Sequence, residues 1–188
     1  MNQLEKAVDQ LKKEGAKSLV FDVRSTYDGT IEYTCRVIDY LVPTATEGNK
    51  ALATLVDKNG NNVKTYSSDA KDITMPMAVL INSDTAGYGE LFACDLKDFG
   101  KAFLIGEKTA GRADVQETFE LSDGGAVVLT TSKMLPYISE SFDGKGLTPD
   151  TEIILADSLR ENLSTLEKER DTQLQAAISM LADNSSEG

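Results

Sequence analysis

Apolar residues recur along this chain with two alternating periods. Leu4, Ala7, Val8 and Leu11 sit three and four residues apart and predict a helix over residues 3–14, which Gly15 ends. Ser18 to Val23 reads as a short buried strand, and Arg24 to Thr30, containing Asp28-Gly29, as a polar turn. Helical spacing returns at Ile31, Thr34, Cys35, Ile38 and Leu41 and stops at Pro43. Ala51 to Val56 and Val63 to Tyr66 flank Asp57-Lys-Asn-Gly60, a hairpin signal. Met77 to Ile81 is apolar throughout and predicts a buried strand. It runs into Asn82-Ser-Asp-Thr-Ala-Gly-Tyr-Gly-Glu90 and then a helix reaching about Asp98.

The second half repeats these signals. Ala102 to Ile105 is a further buried strand, followed by a glycine-containing loop over Gly106 to Ala113. Val115 to Leu121 and Ala126 to Thr131 predict a second hairpin, turned at Asp123-Gly124-Gly125. Leu135 to Asp150 is irregular. Glu161 to Leu181 predicts a terminal helix with Leu166, Leu174, Ala177, Ile178 and Leu181 on one side, and residues 183–188 a frayed tail. Buried strands alternating with helices point to an α/β fold, a mainly parallel sheet flanked by helices with β-hairpins added at its edge.

Composition narrows the chemistry. At 188 residues the chain is long enough for one domain with its own core, here taken as residues 1–182. A net charge of −12 argues against binding a phosphate backbone. No apolar run approaches the ~20 residues that span a bilayer. Histidine is absent, which removes Ser-His-Asp and Cys-His chemistry and the commonest metal ligand. No calcium-loop pattern is present, and no cofactor is expected. Cys35 and Cys94 fall in apolar helical patterns and read as core thiols, with a disulfide left open.

The stretch at 82–90 holds most of the interest. A strand running into a small-residue turn and a helix is a common place for a nucleophile, because the first amides of the helix can stabilise a developing negative charge. Here that turn carries Gly87 and Gly89. In this order and spacing, Lys17-Ser-Leu-Val-Phe-Asp-Val-Arg24, Val79-Leu-Ile-Asn82 with Thr85-Ala86, Asp98-Phe-Gly-Lys-Ala102, Gly106-Glu-Lys-Thr-Ala-Gly111, Gly144-Lys-Gly-Leu-Thr-Pro-Asp150 and the ending Asp171-Thr-Gln-Leu-Gln-Ala-Ala177 form a specific set. Through it the chain resembles the catalytic core of the C-terminal-processing (tail-specific) serine peptidases from about Leu4 to Leu181.

The resemblance implies a ClpP/crotonase-like fold and a serine/lysine dyad assisted by a glutamine. In such a dyad a desolvated neutral lysine takes the proton of the attacking serine. Anchored on Thr85-Ala86 and Glu90, the nucleophile position falls on Gly87 and the general-base position, 25 residues on, falls on Arg112. Gln116 is retained, and Asp98 matches the family's helix-end aspartate. The family's oxyanion turn appears as Thr26-Tyr27-Asp28-Gly29, with a carboxylate at Asp28 that opposes the charge the turn should hold. Glycine offers no nucleophile, and a guanidinium is a poor base because it stays protonated.

The resemblance further implies an extracytoplasmic bacterial location and unstructured peptides or protein C-termini as partners, whereas the substrate-binding PDZ module of the family is not expected within these residues. The expected reading is a catalytically impaired member with a residual peptide-binding cleft. The alternatives are a peptidase working through displaced residues such as Thr85, Ser83, Tyr88 or Lys108, and a binding or scaffolding domain. Thr85 is expected to cap the helix, Lys108 to be solvated or ion-paired, and Tyr88 to fill part of the vacated pocket. Arg112 is expected to pair with Asp28, Asp84 or Glu90 across the cleft.

Overall fold

The strand Met77–Ile81 (β4) is buried at every residue, and its alternation divides the molecule. Met77, Val79 and Ile81 face one core cluster while Ala78 and Leu80 face another, as the two-residue period of a strand covered on both faces requires. The computed structural model describes residues 2–43, 51–68, 73–160 and 162–184. Leu19–Asp22 (β1), β4, Ala102–Gly106 (β5) and the two-residue Thr151–Glu152 (β8) make one sheet in the order β1-β4-β5-β8, parallel throughout. Asn2–Lys13 (α1), Ile31–Leu41 (α2) and Tyr88–Asp98 (α3) contribute to the larger core, with Phe21 meeting Phe92 edge-on at 5.3 Å. Thr172–Asn184 (α5) covers the other face through Ala177 and Leu181.

The two hairpins depart from expectation. Ala51–Val56 (β2) with Asn62–Ser67 (β3), and Asp114–Glu120 (β6) with Ala126–Leu135 (β7), do not extend the parallel sheet. They join each other into a separate antiparallel sheet in the order β3-β2-β7-β6. β7 makes this possible because it runs past the predicted Thr131 to Leu135, and residues 133–135 pair with β2. The fold is therefore α/β with one parallel and one antiparallel sheet.

The terminal helix also needs correction. It begins at Thr172, and the preceding stretch holds a short helix, Asp157–Arg160 (α4), and single 3-10 turns at Leu163–Thr165 and Lys168–Arg170. Asp171 sets the boundary: its Oδ1 accepts the Leu174 N–H at 3.0 Å, satisfying an orphan amide of the first helical turn. The same carboxylate pairs with Arg24 at 2.7 Å, both side chains about 5% exposed, and so ties β1 to α5. Leu166 lies outside the helix and Ile178 is exposed, so neither joins the buried side. The helix runs through Asn184 rather than fraying at 183, and the rest of the predicted tail, 185–188, lies outside the described residues. Both cysteines are free and buried, and burial pushes each thiol up to about 12, which keeps them inert.

Two buried carboxylates of α3 carry unequal loads. Glu90 is fully buried and accepts four bonds: from the Gly87 N–H (3.0 Å), the Arg112 N–H (2.8 Å), the Gly111 N–H (2.7 Å) and the Thr109 hydroxyl. It fastens the start of α3 to the loop after β5. Asp95 is also fully buried, but only its Oδ1 is engaged, by the Tyr137 N–H at 3.0 Å, and its Oδ2 has no partner among the described residues.

Glu90→Gln leaves one acceptor oxygen for four donors and should destabilise the chain by about 2–4 kcal/mol in chemical denaturation. Faster exchange at the Gly111 and Arg112 amides should accompany it. Asp95 has its pKa raised well above the usual carboxylate range by burial, an effect the Tyr137 N–H opposes and Asp98 reinforces. The stability it contributes is therefore fully present below the ordinary aspartate value and is lost as pH rises through the folded-state value. Asp95→Asn should gain stability relative to the parent chain between pH 4 and pH 7 in paired urea titrations. A constant difference across that range would contradict this account.

Candidate active site

The turn leading into α3 is built from hydrogen bonds that the strand ends supply. Asn82 Oδ1 accepts the Ser25 N–H at 2.8 Å, and its Nδ2 donates to Ser25 Oγ at 3.1 Å, joining the turn after β1 to the turn after β4. Ser25 is held at φ 57, a left-handed conformation that costs a non-glycine residue about 1–3 kcal/mol. The Ala86 N–H donates to Thr26 O and the Ala110 N–H to Thr85 O, so three loops share one backbone junction. Thr85 does not cap the helix. Its hydroxyl is fully buried, donates to Val23 O at 3.0 Å and accepts the Asn82 N–H at 3.0 Å, while Gly87 takes the capping position.

The two glycines of the turn have different causes. A Cβ on Gly89 would lie 2.9 Å from Thr26 O, so a side chain is excluded by close approach of α3 to the turn after β1. A Cβ on Gly87 would meet nothing closer than Tyr27 O at 3.7 Å and Arg112 O at 3.8 Å, ordinary contact distances. Room for a side chain exists at 87, but the backbone is at φ 59 and ψ −113, outside the regions L-residues prefer. A strained strand-to-helix corner of this kind is where α/β hydrolases present a nucleophile.

Gly87, Arg112, Gln116, Asp28, Gly29 and Tyr88 line one cleft of about 640 Å³. The two positions that the resemblance sets for nucleophile and base thus line the same cleft. Arg112 also borders an adjoining cavity of about 390 Å³ beside Ser25, Ser83 and Asp84. Its backbone is fixed by Glu90, whereas its side chain is exposed and makes no ion pair among the described residues. The expected pairing with Asp28, Asp84 or Glu90 is not made.

The turn that the resemblance sets at the oxyanion position is engaged from within. The Gly29 N–H donates to the neighbouring Asp28 Oδ1 at 2.7 Å, so this amide is already engaged by a carboxylate. Tyr88 is half-buried and stands where the main cleft meets two further cavities, one apolar and bordered by Phe21, Val37 and Phe92. Burial, reinforced by Glu32 and Asp28, pushes its phenol up, so it remains a neutral hydroxyl. Lys108 is exposed.

Asp98 lies apart from the cleft. It accepts the Ile138 and Ser139 N–H groups at 3.0 and 2.8 Å, and the Ser139 hydroxyl, clamping the segment after β7. The features that sequence reading missed are the Glu90 hub and the engaged Gly29 amide. The Glu90 three residues into the helix was a readable signal for the first; nothing in the spacing signalled the second. Among the described residues no helix is long and apolar enough to cross a membrane.

The pattern of peptidase family S41 matches residues 1–153. The chain is 29% identical over 180 residues to a carboxyl-terminal-processing protease of Picosynechococcus sp., covering 95% of this chain and 41% of that protein. It is 31% identical over 155 residues to the carboxy-terminal processing protease CtpA of Bacillus subtilis, covering 82% and 32%. It thus spans less than half the length of these curated relatives. Among solved structures, a photosystem II D1 C-terminal processing protease superposes with a TM-score of 0.70 at 29% identity, over 80% of this chain and 38% of that one. An S41 protease described as putative, from Bacteroides fragilis, reaches a TM-score of 0.77 over 97% of this chain and 49% of its own, at an identity of 21% that speaks for the fold alone. With the family pattern covering most of its length, this chain belongs to peptidase family S41, the C-terminal-processing serine peptidases.

Proposed function

We infer that this chain is a catalytically impaired S41 peptidase that keeps a peptide-binding cleft. The observation that carries the reading is the meeting of Gly87 and Arg112 in one cleft, where the family resemblance expects serine and lysine. A glycine supplies no attacking oxygen, and a guanidinium does not accept a proton from one. The engaged Gly29 amide supports the same conclusion, since an oxyanion donor already bonded to a carboxylate stabilises little developing charge. Thr85 is a poor replacement nucleophile because its hydroxyl is buried and already donates to a backbone carbonyl.

The relatives are named for processing carboxyl termini, which makes unstructured C-terminal segments the first ligands to consider for the cleft. On the same inference the parallel sheet with its helices is the ClpP/crotonase-like core, and the chain acts outside the cytoplasm.

The purified chain should show no turnover of casein or of unstructured peptides. Inhibitor-sensitive hydrolysis that Thr85→Ala or Lys108→Ala abolishes would overturn the reading. Restoring the dyad alone should not restore the enzyme. Gly87→Ser with Arg112→Lys places a side chain at a positive φ and should lower stability by about 1–3 kcal/mol. Its labelling by a fluorophosphonate should stay at background until Asp28→Gly is added to free the Gly29 amide. Full labelling of the double variant would show that the oxyanion turn is competent as it stands.

A further inference from the structure

The cleft has one wall that the dyad argument does not use. β6 is the outer strand of the antiparallel sheet, and Asp114, Gln116 and Thr118, two residues apart, all line the cleft together with Gly87 and Tyr88. The hairpin end fixes which backbone groups of β6 are free. The Leu121 N–H donates to Gly125 O, and the register pairs Phe119 with Val127 and Glu117 with Leu129. Alternation in an antiparallel ladder makes these the bonded pairs and turns the N–H and C=O groups of Gln116, Thr118 and Glu120 toward the open edge. An edge of this kind is a template for an added strand.

Charge identifies the occupant. β6 carries Asp114, Glu117 and Glu120 and no basic residue, on a chain of net charge −12. Asp28 on the facing wall uses one oxygen for the Gly29 N–H and leaves the other without a partner among the described residues. Asp114 is only weakly compensated: Lys133 stands 4.0 Å from it and sits directly on Asp143. Arg112 is the single cation of the lining. A second copy pairing edge to edge about Glu117 would set Asp114 against Glu120 and Glu117 against itself, the like-charge oppositions that destabilise strand pairs. A neutral strand would gain the backbone bonds alone.

Building on the peptide-cleft reading above, we propose that the open edge of β6 takes up an extended, lysine- or arginine-bearing segment of another protein as an added strand, with Asp28 and Asp114 receiving its basic side chains. The probes are three fluorescein-labelled unstructured twelve-residue peptides, identical except for lysine, glutamine or glutamate at alternate positions, titrated by fluorescence anisotropy. The lysine peptide should bind roughly three- to tenfold tighter than the glutamine peptide at about 50 mM salt, with the gap closing near 500 mM. Asp28→Asn with Asp114→Asn should abolish the gap. Thr118→Pro removes an outward N–H without touching the ladder to β7, and should weaken both peptides at least tenfold. Should Thr118→Pro unfold the hairpin, peptide-induced protection of the Thr118 amide from hydrogen exchange reads the same contact.

Equal binding of the lysine and glutamine peptides would overturn the charge assignment and leave the cleft reading standing. Binding of the lysine peptide that Thr118→Pro leaves intact, or that does not protect the Thr118 amide, would overturn the strand edge. A dimer in sedimentation that Thr118→Pro dissolves would show that a second copy is the occupant. Binding of none of the three peptides at millimolar concentration would remove the peptide cleft itself.

Discussion

The buried carboxylate of Glu90 is the constraint on which the site depends. A charge removed from water is tolerated only when its oxygens are fully engaged, and here four donors from two separate loops converge on it. The donors are backbone amides and one hydroxyl rather than a cation, so the arrangement is set by main-chain shape. Once Glu90 is buried, the corner at Gly87 and the stretch through Arg112 have one relative position. Asn82 does similar work from the opposite side, holding the turn after β1 against the end of β4. The cleft is what remains between three loops fixed in this way.

On the reading proposed above, side-chain identity at residues 87 and 112 and the geometry around them have separated. The corner has a positive-φ backbone and residue 112 lies against residue 87, although neither side chain is one that a serine/lysine mechanism uses. Packing forces explain this arrangement. Glu90 requires the amides of residues 87, 111 and 112 and is indifferent to their side chains. Asp28 shows the opposite case, where a side chain changes what a backbone group can do: by accepting the Gly29 N–H it turns a free donor into a closed local loop.

Much of this was legible in the sequence because the period of apolar residues records which face of each element is covered. β4, α2 and α3 followed from that period, and the 87-to-112 spacing followed from resemblance. The expected helix over 161–181 overreaches because Leu166 and Leu174 sit eight residues apart, a spacing one helix face allows, while Lys168–Arg170 between them forms a 3-10 turn. Asp171 is a readable N-cap residue, but the ion pair with Arg24 that holds it is far away in the chain and leaves no local mark. Sequence likewise grouped Gly87 with Gly89, whereas only the three-dimensional approach of Thr26 O separates a steric necessity from a conformational one. Whether hairpins extend a parallel sheet or pair with each other rests on non-local strand contacts that periodicity does not encode.

The left-handed corner at Gly87 has a consequence for the history of such a site. At φ 59 any residue with a Cβ stores strain that glycine does not, so the exchange that removes a nucleophile also relaxes the backbone. On the impaired-peptidase reading, loss of chemistry and gain of stability point the same way, and the return path climbs in both respects at once. The corner acts as a ratchet: once glycine is in place, selection for a sturdier fold holds it there, and the surrounding cleft is left free to drift toward whatever it can bind.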